Sequence, residues 1–283
     1  MGEVFKVACV QTTTGFEVAA NIEHATGLIR DAAKAGAKLI VLPEVVNVMD
    51  LNRKEIAGKT EPEENDPTLK AFCGLAAELG IWLLIGSLVI KHTVLDDKGN
   101  PKFANRSFMI NSDGEVTARY DKIHMFDVDL DGGESYRESS AYEPGSQAIL
   151  TETPWGKLGM TICYDLRFPH LYRHLAHQGA KFLAIPAAFT RPTGKAHWHV
   201  LMRARAIENG CFVFAAAQCG DHGGGRLTYG HSIIVDPWGE VLADGGQQTG
   251  FAIAEIDVDE VDRVRAKVPS LSHDRIFDET TDA

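Results

Sequence analysis

Three residues of differing chemistry stand at the ends of apolar runs. Glu44 closes KLIVLPE, Lys122 follows a hairpin in ARYDKIH, and Cys163 closes KLGMTIC at the head of GMTICYDLRFPH (159–170). A cysteine attacks as thiolate, and an ordinary pKa of about 8.5 leaves little of that form at neutral pH. A carboxylate beside the thiol can take its proton, and a lysine nearby keeps that carboxylate ionised and stabilises developing negative charge. Taken singly, each residue has a plainer use. A free cysteine packs as a small hydrophobe, Glu44 suits a solvated strand end, and Lys122 is one of many lysines. The case rests on the set, because ligands of open α/β sheets bind beyond the carboxyl ends of the strands. Residues after Cys163 read as a helix start, so the Tyr164 amide could help hold an oxyanion.

The elements that must carry these residues occur twice. AGAKLIVLPE (35–44) echoes QGAKFLAIPA (178–187), with Gly36 matching Gly179 and Pro43 matching Pro186. DPTLKAFCGLAAELG-IWLLIGS parallels GKAHWHVLMRARAIENG-CFVFAAAQ, each an amphipathic helix, a glycine just past its end and a buried strand. SFMINSDGEV (107–116) matches SIIVDPWGEV (232–241), each a strand, a turn and a second strand. The order βαβα-then-strands, repeated, predicts parallel pairing through right-handed crossovers. Nearly continuous apolar strands imply burial on both faces. The expected fold is α/β: two sheets stacked face to face as an α-β-β-α sandwich with an internal pseudo-two-fold repeat. No Pro/Gly/Ser-rich linker separates the halves, so one domain is expected over residues 1–275, with a C-terminal tail at 276–283. The charged stretch from about residue 258 reads as peripheral.

Composition excludes several classes. A net charge of -11 argues against nucleic acid or an anionic membrane as partner, since both require a basic face. The longest apolar run, IWLLIGSLVI (81–90), is well short of the roughly 18 residues of a transmembrane helix. The opening MGEVFKVACVQ lacks the apolar core of a signal peptide, and Lys6 occupies the position a myristoylation site gives to Ser or Thr. The five cysteines (9, 73, 163, 211, 219) form no CxxC pair and are odd in number, which fits reduced thiols in the cytoplasm.

LPE around Glu44, YDKIHMFD around Lys122 and GMTICYDLRFP around Cys163 resemble the Glu-Lys-Cys signatures of the nitrilase superfamily of carbon–nitrogen hydrolases. The resemblance runs to about residue 275. It implies a four-layer sandwich, a homodimer or larger homo-oligomer, and a small-molecule amide as substrate. Glu44 is implied as general base, Lys122 as oxyanion stabiliser and Cys163 as nucleophile, with Glu138, in RESSAYEPG, as a supporting second glutamate. The chemistry implied is amide hydrolysis through a thioester on Cys163, which requires no metal or organic cofactor. AHWHVLMRARAIENG, AAAQCG and YGHSIIVDPWGE resemble the branch acting on deaminated glutathione. The omega-amidase branch, acting on 2-oxoglutaramate, shares the HW helix but reads A-S-P-A where this chain has AAAQ (215–218).

Arg167 resembles a carboxylate-binding arginine of carbamoylase members, and an ion pair with a nearby acid such as Asp165 is its structural alternative. Phe189, Thr190 and Arg226 are further candidate substrate contacts. GDHGGGRLTYG (220–230) lacks the GK[ST] ending of a phosphate loop and leads into a strand. It reads as a mobile pocket-rim loop whose glycines leave room for a bulky leaving group. Competing readings are a zinc hydrolase using His170, His174, His177, His197 and His199, an inactive binding or scaffold protein on the same fold, and a Cys-His protease. The first lacks HExxH, the second has no use for all three reactive residues, and the third lacks a strand-end histidine.

Overall fold

The structure is a computed structural model, and it describes residues 3–50, 52–96, 99–129 and 135–277. The first half runs β1 (Val4–Gln11), α1 (Val18–Lys34), β2 (Ala37–Val41), α2 (Arg53–Lys59), α3 (Pro67–Leu79), β3 (Trp82–Leu95), β4 (Pro101–Ile110) and β5 (Val116–Asp121). A ribbon of β6 (Asp127–Asp129) and β7 (Ser135–Arg137) follows. The second half runs β8 (Ile149–Thr153), β9 (Gly156–Met160), α4 (Pro169–His177), β10 (Ala180–Ala184), α5 (Arg191–Asn209) and β11 (Phe212–Ala215). It continues through β12 (Cys219–Asp221), β13 (Leu227–Tyr229), β14 (Ile233–Val235) and β15 (Val241–Asp244), before β16 (Gly250–Asp257) and α6 (Asp259–Lys267).

One sheet has the order β16-β1-β2-β3-β4-β5 and the other β15-β14-β11-β10-β9-β8. In each, three strands joined by helices pair parallel and are flanked by antiparallel strands. The expected repeat is therefore present strand for strand: β1-β2-β3 answers β9-β10-β11, and the hairpin β4-β5 answers β14-β15. Gly36 and Gly179 adopt the same φ of 96°, and Gly80 and Gly210 cap α3 and α5 in the left-handed region. A side chain is strained at these helix ends, which is why glycine recurs there.

Strand alternation sorts the first sheet into layers. Val7, Cys9, Leu39, Val41, Leu84 and Met109 join the core shared with the second sheet. Their neighbours Ala8, Val10, Ile40, Leu83 and Phe108 pack instead under Ile29 of α1 and Phe72 of α3. Phe5 stacks on Trp155 at 4.1 Å and meets Phe182 edge-on across the sandwich. On the far side, Leu171 and Leu175 of α4 and Trp198 and Met202 of α5 complete the core. The layers are α-β-β-α.

The stretch after residue 258 departs from expectation. Val258, Val261 and Val264 are buried, and Arg265 donates to the carbonyls of Ala180 and Gly210. Asp262, Arg263 and Lys267 form the outer side of α6. Ile276 and Phe277 are exposed, and residues 278–283 of the expected tail lie outside the described residues. Among the described residues, no helix is long and apolar enough to cross a membrane.

Candidate active site

Pro43 cannot continue the β2 ladder, since it has no N–H to donate, and the chain turns just beyond it. Val45 holds a φ of 51°, its amide donating to Ser87 Oγ at 2.8 Å. Gly86 of β3 lies so close that a Cβ there would come within 2.0 Å of the Leu42 carbonyl oxygen. Only glycine lets β3 approach the turn this closely. Glu44 is consequently buried, and its carboxylate takes three nitrogen donors. Lys122 Nζ and Asn105 Nδ2 each reach Oε1 at 2.9 Å, and the Ala188 amide reaches Oε2 at 2.8 Å. Gln218, the last residue of the AAAQ segment, donates to the Glu44 carbonyl at 2.9 Å.

Lys122 leaves the end of β5 with its amide on the Asn105 carbonyl. Its ammonium, 2% exposed, also contacts both oxygens of Glu138, at 3.0 and 2.9 Å. Glu138 is fixed in turn by the Phe126 amide at 2.7 Å. Burial pulls the Lys122 pKa down, but the Glu138 and Glu44 charges outweigh it and hold the ammonium well above its ordinary value.

Cys163 begins a five-residue 3₁₀ turn, Cys163–Arg167, with its own φ at 50°. A non-glycine residue in that region carries strain of order 1–3 kcal/mol. The turn is held by the Cys163 amide on the Pro186 carbonyl at 2.8 Å and by Asp165, whose Oδ2 accepts from the Ile162 amide at 2.9 Å. Burial and the adjacent Glu44 carboxylate push the thiol well above its ordinary range, with Lys122 opposing them more weakly. Burial also pushes the Glu44 carboxyl up, but the Lys122 charge and hydrogen bonds from Lys122, Cys163 and Asn105 leave it below its ordinary value. The resting pair is thus a protonated thiol hydrogen-bonded to an ionised carboxylate, with a fixed cation beside them. Such a pair can pass one proton from sulfur to carboxylate as sulfur attacks, and the ammonium can meet negative charge on the attacked group.

These groups line one cavity of about 430 Å³, together with Tyr164, Arg167, Phe189, Thr190 and Arg226. Every site residue expected from the sequence faces it. Three details differ. The Arg167–Asp165 ion pair is not formed among the described residues. Asp165 is instead taken up by Tyr120, His124 and Ile162, while Arg167 lies 3.3 Å from His197 Nδ1 and over the rings of Tyr164 and Phe189. The 220–229 stretch is a β12-β13 hairpin tied down by His222, and of its residues Arg226 lines the cavity. None of the hairpin glycines lines the cavity, and a Cβ on Gly223 would strike Phe16 at 2.7 Å. Further wall comes from Arg53 and from the 135–142 segment with Tyr136.

Sequence reading missed Asn105 and the Ala188 amide. Asn105 had a visible signal, a polar residue inside the apolar strand FANRSFMI; a backbone amide has none. The five histidines weighed for zinc do not converge. His170, His174 and His177 are exposed on α4, His177 pairs with Asp274, and His197 faces Arg167.

The carbon-nitrogen hydrolase family model matches residues 6–266, and the chain belongs to that family. It is 40% identical over 280 residues to the deaminated glutathione amidase of Synechocystis sp., covering 96% of this chain and 98% of that protein. It is also 40% identical to the human protein of the same name, over 95% of this chain and 82% of the relative. Among solved structures, the Caenorhabditis elegans NitFhit protein superposes with a TM-score of 0.87 at 37% identity, covering 97% of this chain and 66% of the longer fusion protein. Saccharomyces cerevisiae Nit3, a member of branch 10 of the nitrilase superfamily, gives 0.81 at 32% identity over 94% of this chain and 95% of that one.

Proposed function

We propose that this protein is an amidase hydrolysing the amide of a 2-oxo acid, with deaminated glutathione as its substrate. One observation carries the mechanism: Glu44, Lys122 and Cys163 converge in one cavity, with Lys122 Nζ 2.9 Å from the Glu44 carboxylate. Glu44 takes the Cys163 proton as sulfur attacks the amide carbonyl. The Lys122 ammonium and the Tyr164 amide, near the start of a 3₁₀ turn where N–H groups lack intrahelical partners, hold the oxyanion. Glu44 returns the proton to the leaving amine and then activates the water that cleaves the thioester. Removing one such oxyanion donor costs about 2.7–4 kcal/mol of transition-state stabilisation. Glu138 keeps Lys122 charged and aimed.

The substrate reading is supported by the names of the relatives and by the cations of the cavity. Arg226 Nη2 donates to the Ala188 carbonyl at 2.6 Å and its guanidinium lies over Tyr136, while Nη1 is buried without a partner among the described residues. An unpaired buried N–H of a guanidinium suits a ligand carboxylate. Deaminated glutathione and 2-oxoglutaramate share their acyl half and differ in the leaving group, a dipeptide in the first and ammonia in the second. Arg226 is read as the partner of the dipeptide carboxylate. Side-by-side assay of both compounds on purified protein tests this: a higher kcat/KM for deaminated glutathione is expected, and a preference for 2-oxoglutaramate overturns it.

We further propose one hydrolase domain over residues 1–275, a cytoplasmic setting, and a homodimer or larger assembly. Val200 and Ile207 are exposed on α5, apolar area that a second copy would cover. A monomeric mass in solution would overturn the assembly.

A further inference from the structure

Away from the Cys163 cavity, three side chains from three elements converge on one point. His199 projects from the middle of α5, His231 precedes β14, and Asp244 ends β15. His199 Nε2 lies 2.9 Å from Asp244 Oδ2, and His231 Nδ1 lies 2.9 and 3.1 Å from the two Asp244 oxygens. One donor atom from each residue falls within 4.8 Å of the other two. We infer that His199, His231 and Asp244 bind one divalent transition-metal cation of the zinc type, which staples α5 to the β14-β15 edge of its sheet.

The donor set selects the class of ion. Two imidazole nitrogens and one carboxylate suit zinc, cobalt, nickel or copper, whereas magnesium and calcium favour oxygen ligands. Zinc bonds of about 2.0–2.1 Å at tetrahedral angles set neighbouring ligand atoms roughly 3.3–3.4 Å apart. The edges from Asp244 Oδ2 to His199 Nε2 and His231 Nδ1, 2.9 and 3.1 Å, need to open by only a few tenths of an ångström, and the two imidazoles must bring their nitrogens to the same spacing from within 4.8 Å. Side-chain exposures of 35%, 19% and 31% leave the triangle open to solvent, so an ion can enter and water can take the fourth position.

The surroundings hold the ligands in these orientations. The Gly246 amide donates to Asp244 Oδ1 at 2.8 Å and orients the carboxylate against both rings, with Oδ2 within reach of each. Outer hydrogen bonds of this kind orient ligating carboxylates. His231 is held at φ 60°, where a non-glycine residue is strained, and its ring stacks on Tyr229 at 4.5 Å. To ligate, His199 must be neutral with its proton on Nδ1, and His231 neutral with its proton on Nε2. Without an ion, those same ligating nitrogens carry the protons that bond Asp244. Binding therefore requires each ring to move its proton to its other nitrogen.

The Cys163→Ala protein, which removes the reactive thiol as a competing ligand, is stripped with chelator and titrated with Co²⁺ and with Zn²⁺. One equivalent per chain is expected, with visible cobalt absorption lacking a thiolate band and a Zn²⁺-dependent rise in Tm. Asp244→Asn and His199→Gln, which retain polar contacts, should abolish both signals, while His174→Ala on the exposed face of α4 should keep them. In the unsubstituted enzyme, chelation should lower Tm without lowering kcat. Absence of saturable binding, or binding undiminished in Asp244→Asn and His199→Gln, would show that the three residues form a hydrogen-bonded clasp and nothing more.

Discussion

Tyr120 donates its hydroxyl to Asp165 at 2.6 Å, joining the strand that delivers Lys122 to the turn that carries Cys163. His124 adds its amide and Nδ1 to the same carboxylate, at 3.1 and 2.7 Å, from the other side of Lys122. Asp165 is fully buried, so four donors depend on its two oxygens. Hydrogen bonds to a charged group contribute about 1.5–3 kcal/mol each. Tyr120→Phe should therefore destabilise by about that amount, and Asp165→Asn, which turns an amide toward buried donors, by more. Both should slow alkylation of Cys163, because the turn that presents it loosens. Unchanged Tm and labelling rate in Asp165→Asn would remove this clamp from the account.

Cys163 should be the thiol that matters, although its pKa lies above that of an ordinary cysteine. On the proposed mechanism its reactivity comes from Glu44 acting as base, not from a standing thiolate. Cys163→Ala should abolish amine release from every amide tested, and Cys73→Ala should leave most activity. Iodoacetamide should label Cys163 first in the parent protein and lose that selectivity in Glu44→Gln. Preferential labelling of Cys73, the least buried of the five, would contradict the role given to Glu44.

The repeat explains why so much of this was legible in the sequence. Two copies of one strand-helix pattern fix the sheets, and strand ends fix where Glu44 and Cys163 emerge. Lys122 was found because it follows a strand of a hairpin that recurs in the second half. What escaped was interaction between segments far apart in the chain. Asp165 looked like a partner for Arg167, two residues away, because nothing local shows that Tyr120 and His124 approach from another sheet. The 220–229 glycines looked like room for substrate, yet Gly223 faces the Phe16 ring. Likewise, α6 looked peripheral because its acids and bases hide the spacing of Val258, Val261 and Val264.

Arg226 provides the test of leaving-group recognition. Its buried Nη1 has no partner among the described residues, and a carboxylate placed there would gain a charge-assisted hydrogen bond. Arg226→Ala should lower kcat/KM for deaminated glutathione by roughly tenfold to a hundredfold, and far less for 2-oxoglutaramate, whose leaving group carries no carboxylate. Arg167→Lys serves as the companion variant. If Arg167 binds the 2-oxo acid carboxylate, KM should rise for both compounds with kcat spared. An equal fall for both substrates in Arg226→Ala would assign Arg226 to the fold of the hairpin instead.

The last prediction follows from His222, which anchors that hairpin. Its ring bridges the Thr14 carbonyl at 2.8 Å and the Thr228 hydroxyl at 2.7 Å. The carbonyl can only accept, so Nδ1 carries the proton and Nε2 accepts from Thr228, an arrangement open only to neutral imidazole. Burial pushes its pKa down to about 4, aided by the nearby Arg226 charge. In the unfolded chain the ring titrates near its ordinary value of about 6.5. Between these two values the unfolded state binds more protons, so stability must fall as pH drops through that window. The contribution is complete above about pH 6.5 and lost by about pH 4. Melting curves of the parent protein and His222→Gln, recorded across this range, should draw together as the pH falls, since glutamine cannot titrate. Kinetics should follow, because the hairpin that loosens also carries Arg226: KM for deaminated glutathione should rise over the same interval in the parent protein. Parallel melting curves down to pH 4 would show that His222 keeps its proton count on folding, and the hairpin would then need another anchor.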